Sequence, residues 1–380
     1  MFTFGLMDWQ EVLFPVSANF NLNGKQVGDV ITINRGESFD LDNVSTVFIG
    51  VEQGGNVFSN TLREHLYAYR NSESFNSFAD LGDYTLPKEI TQSNIDELGF
   101  IFSDLIERDI TILTYCNVVD LIPNVVDRAY TYLKQFYSAI ETNITIGSSS
   151  DFGQLNAENW LSKHLDSSNS LMHHYGILGY QSNHVANDQI EYLHKLGFES
   201  ERLGNLKSSI AKAEPYVRMG NFLQFDFRSV KSSYTGMAHG YPNGLNGEEG
   251  CTILKYAGAN NEMMAVNLFS DNWGQQELGA ELAAQMIWYY VEGTQIGMDE
   301  DPLSGNENYV QYITNFEKSS ESITFYKSLR SGKWWIYLPV DHKRHPRYRY
   351  LIPCDYEDYQ MATQGEIPYR WILAVSRLDS

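Results

Sequence analysis

Polar residues directly follow three apolar runs of this chain, at positions where α/β proteins commonly bind ligands. The runs end at Asn117, at Asp151 and, in the third run, at Asp226 and Arg228. Each run is typical of a short, buried strand, and in a parallel sheet ligands bind just beyond the carboxyl ends of the strands. Carboxylates bind hard divalent metals, whereas an arginine is a permanent cation. The pattern therefore predicts a polar site at one edge of a sheet, with an arginine in it.

Cysteine and histidine offer other chemistry. Cys116 precedes the first strand end and could act as a nucleophile, but the sequence places no histidine beside it, so a buried structural thiol is favoured. The pairs His173 with His174 and His342 with His345 could bind a metal. Adjacent side chains of a strand point to opposite faces, which favours surface or packing roles instead.

The elements that would position these residues alternate between strands and helices. Strands are predicted at residues 45–51, 110–116, 143–148, 175–180, 221–227 and 263–269. Helical patterns lie around residues 62–69, 94–107, 117–138, 188–195, 202–212 and 276–292, and a further helix starts at residues 246–250. This alternation favours a parallel sheet covered by helices on both faces, an α/β fold.

Three parts differ in character. Residues 1–44 are predicted to be an N-terminal β-rich segment, in which Asn23-Gly24 is a hairpin signal. Residues 45–295 form the predicted α/β domain. Residues 296–380 are predicted to be an aromatic and basic extension packed on that domain, either a β-hairpin or a winding segment.

Composition narrows the classes of partner. The formal charge of −21 disfavours nucleic acid and anionic membranes. No apolar run approaches the roughly 20 residues that span a bilayer, so no membrane insertion is expected. Three widely spaced cysteines form no CxxC pair, which indicates neither a disulfide framework nor a thiolate zinc site. A reducing cytoplasm is the expected compartment.

Three segments together carry a family resemblance. They are Gly-Val-Glu-Gln-Gly-Gly-Asn at 50–56, Tyr-Gly-Ile-Leu-Gly-Tyr-Gln-Ser at 175–182 and Pro-Asn-Gly-Leu-Asn-Gly-Glu-Glu-Gly at 242–250. Over roughly residues 40–295 the chain resembles the arginase/ureohydrolase superfamily, most of all its formimidoylglutamase-like branch. The resemblance implies a three-layer α/β/α fold with a mostly parallel central sheet.

The resemblance also implies two manganese ions that activate a bridging hydroxide, and this chain departs from the ligand pattern. Four of the six ligand positions are replaced, and Asp151 and Asp226 remain. The replacements are Asn117 for a histidine, Gly147 for a bridging aspartate, Ser149 for a histidine and Arg228 for an aspartate.

No manganese or other cofactor is therefore expected. Arg228 is predicted to form an internal salt bridge with Asp151 and Asp226 where a metal would be. Glu249 matches the glutamate that binds substrate in the family, and without a metal-bound hydroxide it has no evident reaction to serve.

Residues 327–349 carry seven Lys or Arg side chains against one acid, with aromatic residues between them. Such residues are common in interface hot spots, which predicts a docking surface. Its candidate members are Lys333, Trp334, Trp335, Lys343, Arg344, Arg347, Tyr348 and Arg349. The alternative is an intramolecular strap whose basic residues offset the acidic body.

Three functions compete on this basis. The first is a catalytically inactive pseudoenzyme that works by binding, as an adaptor, scaffold or regulatory subunit. A membrane-associated assembly is one possible setting for such a subunit. This first function requires a protein partner and is compatible with a homo-oligomer. The second is a metal-dependent formimidoylglutamase or related amidine hydrolase with a reduced site. The third is a metal-free sensor of a small ligand, with Asp226, Arg228 and Glu249 lining the old pocket.

Overall fold

The computed structural model gives the positions of most of the chain. The residues described are 12–16, 23–37, 40–55, 57–133, 141–147, 160–161, 172–237, 240–270, 277–305, 307–315, 322–338 and 351–379.

A twisted sheet of nine parallel strands forms the centre of the described residues. The strands are β1 (Thr32–Ile33), β2 (Thr46–Gln53), β3 (Phe78–Leu86), β4 (Thr111–Cys116), β5 (Glu141–Ile146), β6 (Met172–Tyr180), β7 (Glu199–Arg202), β8 (Phe222–Asp226) and β9 (Ala265–Phe269). Their order across the sheet is β1-β3-β2-β4-β9-β8-β5-β6-β7. Every neighbouring pair is parallel, so all carboxyl ends lie at one edge of the sheet.

Helices cover both faces of this sheet. The helices of the α/β domain are α1 (Val57–Ala68), α2 (Gln92–Glu107), α3 (Leu121–Leu133), α4 (Asn187–Lys195), α5 (Leu203–Ser208), α6 (Ala213–Met219), α7 (Ser232–Thr235), α8 (Gly247–Gly258) and α9 (Glu277–Thr294). Helices α1, α8 and α9 pack on one face, and α2 with α3 on the other. Among the described residues no helix is both long and apolar enough to cross a membrane.

Strand β2 shows why the sheet is buried on both sides. Phe48 packs into the core under α1, α8 and α9, while Val47, Ile49 and Val51 pack into the core under α2 and α3. All four are fully buried. Successive side chains of a strand point to opposite faces, so a continuous apolar run serves both cores. The predicted α/β fold with a parallel sheet follows from this pattern.

Strand β3 was missed by the sequence analysis because its apolar run is interrupted by Asp80, Gly82 and Asp83. Both aspartates are buried and bind Arg63 of α1, whose side chain is fully buried. Arg63 Nε donates to Asp80 Oδ2 at 2.8 Å, and its Nη1 donates to Asp83 Oδ1 at 2.9 Å. The Tyr67 hydroxyl also donates to Asp80 Oδ2, at 2.7 Å. The charges of this strand are thus paired inside the core, where unpaired charges would be costly.

Residues 296–380 contain more structure than the hairpin or winding segment of the sequence analysis. An antiparallel sheet is formed by β10 (Tyr309–Asn315), β11 (Ser322–Ser328), β12 (Trp334–Tyr337) and β13 (Leu351–Cys354). Helices α10 (Tyr356–Thr363) and α11 (Tyr369–Asp379) follow. We call these strands and helices the C-terminal unit.

The two tryptophans of the predicted docking surface belong to the packing of the C-terminal unit. Trp334 is 6% exposed and stacks on Tyr359, and Trp335 is 7% exposed beneath the Arg218 guanidinium. This burial favours the alternative of an intramolecular strap for the two tryptophans, and the docking surface stays a prediction. The side chain of Lys333 is 19% exposed. The remaining candidates, Lys343, Arg344, Arg347, Tyr348 and Arg349, lie outside the described residues.

Two arginines of α11 fasten the C-terminal unit to the β6–β7 edge of the central sheet. Arg370 lies 3.2 Å from Glu199 Oε1, and Arg377 donates to His174 Nδ1 and to the Gly197 carbonyl. Since arginine can only donate, His174 Nδ1 accepts and its ring proton is on Nε2, which lies 3.1 Å from Glu199 Oε2. The contact is thus a buried chain of charged and polar side chains.

Candidate functional site

The carboxyl ends of β4, β9, β8 and β5 lie next to each other at one edge of the sheet. The sequence predicted a polar site at such an edge. Asn117 follows β4, Asp226 ends β8 and Gly147 follows β5. Strand β9 lies between β4 and β8, with Phe269 paired to both Cys116 and Asp226. Asn117 and Asp226 are therefore separated by two strand spacings, about 10 Å.

The Asn117 side chain is bound to the backbone of β2. Its Nδ2 donates to the Gln53 carbonyl at 2.9 Å, and its Oδ1 accepts from the Gln53 amide at 2.8 Å. The carboxamide thus imitates a peptide group and extends the β2–β4 pairing by one residue. Its oxygen is engaged in this bond, so it is poorly placed to bind a metal.

Asp226 and Arg228 form a close ion pair at the end of β8. Arg228 Nη2 lies 2.7 Å from Asp226 Oδ2, and Nε lies 3.0 Å from both carboxylate oxygens. The Arg228 amide also donates to Asp226 Oδ1 at 2.8 Å, so the aspartate caps the turn that follows the strand. The side chains are only 9% and 16% exposed, and the guanidinium lies over the Phe269 ring. A charge-assisted pair of this kind occupies the carboxylate.

The β5 end supplies no ligand among the described residues. Gly147 has no side chain, and its amide donates to the Leu178 carbonyl at 3.0 Å. Ser149 and Asp151 lie outside the described residues, so the predicted pairing of Arg228 with Asp151 stays a prediction.

Glu249 is engaged by two other groups. Lys207 Nζ donates to both of its oxygens, at 2.8 and 3.0 Å, and the Asn246 amide donates to Oε2 at 2.7 Å. The second bond closes the capping box of α8, so this glutamate stabilises the start of the helix. A comparable carboxylate lies near the end of β2, where Glu52 accepts from the Ser59 amide at 2.8 Å and caps α1. Burial raises the pKa of Glu52.

These contacts test whether the described residues fit a two-manganese centre, and they do not. No group of three or more His, Cys, Asp or Glu side chains in the described part of the chain could hold a metal ion. Of the two aspartates at predicted ligand positions, Asp226 is the one within the described residues, and it is bound by the arginine beside it. Hard divalent ions prefer several free carboxylate or imidazole ligands.

The alternative reactive groups are shielded. Cys116 is fully buried, and burial raises the pKa of its thiol to about 12, so little thiolate forms at neutral pH. His174 is buried between Glu199 and Arg377, and burial together with the arginine lowers its pKa to about 4. It is therefore a neutral structural histidine. His342 and His345 lie outside the described residues.

The sequence did not predict the residues that bind Asn117 and Glu249. These are Gln53, which binds Asn117, and Lys207, which binds Glu249. Lys207 lies 42 residues before Glu249, and Gln53 lies 64 residues before Asn117. Nothing local marks such pairs. The Glu52 cap had a visible signal, because a glutamate precedes a Gly-Gly turn and a helix start.

Comparison with known proteins identifies the fold. No protein-family model and no curated protein sequence matches the chain. Solved structures do match. Formiminoglutamase of Trypanosoma cruzi with Mn²⁺ superposes with a TM-score of 0.57 at 16% identity, over 71% of this chain and 98% of that one. Formimidoylglutamase from Bacillus subtilis gives 0.60 at 14% identity, over 77% and 99%. Agmatine ureohydrolase of Thermoplasma volcanium gives 0.54 at 13% identity, over 73% and 96%.

The chain therefore has the fold of the arginase/ureohydrolase superfamily, with an additional antiparallel sheet near its C-terminus. Its structural neighbours include formiminoglutamases, in line with the branch that the sequence resembles. The predicted three-layer arginase-like fold is confirmed. At this level of identity the likeness concerns the fold, and function has to be argued from the site.

Proposed function

We propose that this protein is a catalytically inactive member of the ureohydrolase fold that works by binding a protein partner, as an adaptor, scaffold or regulatory subunit. The observation that carries the proposal is the ion pair of Asp226 with Arg228, 2.7 Å apart at the end of β8. It neutralises a carboxylate at the strand ends with a fixed cation. A metal-bound hydroxide needs close cations held by free carboxylates, and this arrangement opposes both.

The contacts of Asn117 and Glu249 support the same proposal. Asn117 extends a strand pairing, and Glu249 caps a helix while bound to Lys207. Each side chain has a structural partner that holds the frame in place. A fold that is kept while its polar side chains serve structural contacts is expected of a protein that works through its shape and surface.

Manganese binding and hydrolysis test the inactive half of the proposal. We expect purified protein dialysed against MnCl₂ to retain less than about 0.1 Mn per chain by mass spectrometry, and to leave N-formimidoylglutamate, arginine and agmatine unhydrolysed. The Bacillus subtilis formimidoylglutamase serves as the assay control. Stoichiometric manganese together with hydrolysis would mean that the protein is an amidine hydrolase.

A variant that restores the ligand types makes a negative result informative. Asn117→His, Gly147→Asp, Ser149→His and Arg228→Asp combined return the family's residue types to the four replaced positions. If the frame is intact, this variant should take up manganese under conditions in which the parent chain takes up none. Uptake equal in both chains would contradict the role given to Arg228.

Binding is tested by quantitative affinity purification from the native host. Buried free cysteines at positions 116, 251 and 354 support searching among cytoplasmic proteins first. We expect one partner at a fixed molar ratio whose retention falls with salt, because the chain carries a net charge of −21. Light scattering would separate this outcome from simple self-association. Recovery of only a homo-oligomer would argue against the adaptor role.

A further inference from the structure

Strand β10 is an open edge of the antiparallel sheet in the C-terminal unit. It pairs with β11 on one side, and no described residue pairs with it on the other side. All of its residues, Tyr309–Asn315, pair with β11 in an unbroken antiparallel register. The peptide groups along an open edge are free to bind a further strand. The chain can therefore accept another strand at β10.

The register shows which peptide groups of β10 face outwards. One residue before the strand, the Asn308 carbonyl accepts from the Leu329 amide at 2.7 Å. Hydrogen-bonded pairs alternate along an antiparallel ladder, so the even-numbered residues of β10 bind β11 and the odd-numbered residues face outwards. Among the described residues nothing hydrogen-bonds to the outward peptide groups of Gln311 and Ile313.

The other sheet edges of the described chain are short or covered. Strand β1 has two residues, and β7 and β13 have four each. Helix α11 is held at β7 by Arg370, and α6 packs on β13. Natural proteins protect an exposed edge with a short strand, a charge, a proline or a bulge. Strand β10 has seven residues and none of these devices, so we expect another strand to pair with it.

The elements that cover the faces of this sheet leave its open edge accessible. Tyr359 of α10 contacts rings of three neighbouring strands, β10, β11 and β12, which places the helix under β11. On the opposite face Arg218 of α6 stacks on Trp335 of β12, two strands away from the edge. Gln311 and Ile313 are exposed, and Ile313 is the more apolar of the two, at 59% exposure.

The composition of β10 suits pairing with a second copy of the same chain. Two bodies of net charge −21 repel each other, but Tyr309–Asn315 contains no charged residue, so no like charges would be brought opposite each other in the pairing. If two copies of β10 run antiparallel about a twofold axis at Tyr312, Gln311 lies opposite Ile313 of the second copy. Both residues direct their peptide groups outwards, so the hydrogen bonds match. One such contact closes both open edges.

We infer that two copies of this chain associate through β10, antiparallel about a twofold axis, and thereby join the four strands of each C-terminal unit into one continuous sheet. The inference goes beyond the function proposed above and does not depend on it, because β10 belongs to the C-terminal unit and not to the strand ends of the α/β domain.

Sedimentation velocity of the full chain at about 1 to 200 μM tests the association. We expect a monomer–dimer equilibrium with a dissociation constant of about 10 μM, because one strand pairing is a small interface. Raising NaCl from about 0.05 to 0.5 M should tighten the dimer severalfold, since salt screens the repulsion between two acidic bodies. This response is opposite to the one expected for the protein partner.

Variants at the open edge locate the contact. Gln311→Pro removes an outward amide and leaves the bonds to β11 in place, and Ile313→Lys puts a charge on the edge. Each should weaken the dimer about tenfold or more. Ile296→Lys is the matched control, because Ile296 is also an exposed isoleucine, at 51%, and lies beyond α9. It should dimerise like the parent chain.

Hydrogen exchange gives an independent readout of the same contact. Peptides that cover residues 309–315 should exchange more slowly at about 100 μM than at about 1 μM, because the outward amides become hydrogen-bonded in the dimer. Peptides of the central sheet should exchange alike at both concentrations. Melting curves of the variants separate a lost dimer from a lost fold.

Four results would overturn the inference. They are a monomer up to about 200 μM, a dimer that both edge variants leave unchanged at the parent melting temperature, and a dimer that dissociates as salt rises. The fourth is a monomeric chain whose protein partner is lost from the affinity purification on Ile313→Lys, since the edge would then serve that partner. Failure of the dimer leaves the manganese and hydrolysis results of the proposed function untouched.

Discussion

The Arg228 guanidinium lies within 3.0 Å of both carboxylate oxygens of Asp226, and the two residues are separated by a single position in the chain. The pair is local in the chain and 84% or more buried in each side chain. The arginine thereby satisfies the charge of the aspartate beside it.

Removing the cation should destabilise the fold more than removing both charges. Arg228→Met leaves the buried Asp226 carboxylate without its ion-pair partner, and we expect a loss of about 3 kcal/mol in the free energy of unfolding. The double variant Asp226→Asn with Arg228→Met should regain a large part of it. Urea denaturation followed by circular dichroism measures both. If the single and double variants lose the same amount, the ion pair does not compensate the carboxylate.

Gly50 of β2 should tolerate no side chain. A Cβ atom there would collide with Asp83 Oδ1 and lie 2.5 Å from Ser59 Oγ, so it would push Asp83 away from Arg63. Gly50→Ala is expected to cost about 3 kcal/mol through overpacking. Gly204→Ala is the matched control: it lies in α5 with nothing within 4 Å of the added atom, and should stay within about 1 kcal/mol or stabilise the helix.

The His174 cluster should make stability depend on pH. In the folded chain burial and Arg377 lower the pKa of His174 to about 4, whereas the unfolded chain has the ordinary value of 6.5. Between these values the unfolded state binds more protons, so stability is full above pH 6.5 and falls as the pH drops towards 4. The loss over this window should be about 3 kcal/mol at most.

His174→Gln should flatten the pH dependence in that window, while His65→Gln, at a partly exposed position of α1, should keep the parent slope. Glu199 affects the stability of the fold at a lower pH than His174 does. Burial alone would raise its pKa, but Arg370 and His174 outweigh burial and hold it at about 2. Both variants should therefore still lose stability below pH 4. Denaturation curves at several pH values provide the comparison, and a parent-like slope in His174→Gln would contradict the assignment.

The three thiols should be unreactive in the native state. Cys116, Cys251 and Cys354 are buried, and burial raises the pKa of the first two to about 12 and that of Cys354 well above its ordinary value. At pH 8 we expect no rapid reaction with a disulfide reagent in buffer and reaction of all three cysteines in guanidinium chloride. Rapid native labelling at Cys116 would restore the nucleophile alternative.

The strands that bear the site were predictable because their apolar runs are continuous. Strands β4 and β8 lie close to the predicted positions, since a strand buried on both faces leaves a plain sequence signal. The Asp226–Arg228 pair was also foreseeable, being two residues apart. Strand β3 was not, because Asp80 and Asp83 make it look polar until Arg63 is placed against it.

The roles of Asn117 and Glu249 could not be predicted for a different reason. From the sequence, Asn117 was interpreted as the replacement of a metal ligand, and Glu249 as a substrate-binding residue without a reaction to serve. Their actual partners, Gln53 and Lys207, come from other elements and are chosen by the three-dimensional packing. The partners of such side chains thus depend on tertiary contacts that a local pattern does not encode.

The contact of Arg377 with His174 joins positions 203 residues apart. Because chains are synthesised from the N-terminus, β6 and β7 leave the ribosome long before the cations that pair with them. Until α11 has been made and docked, the Glu199 carboxylate lacks both arginines and cannot be buried at low cost. The sheet edge therefore closes late in biosynthesis, and a chain cut short before α11 would expose that edge to proteases and chaperones.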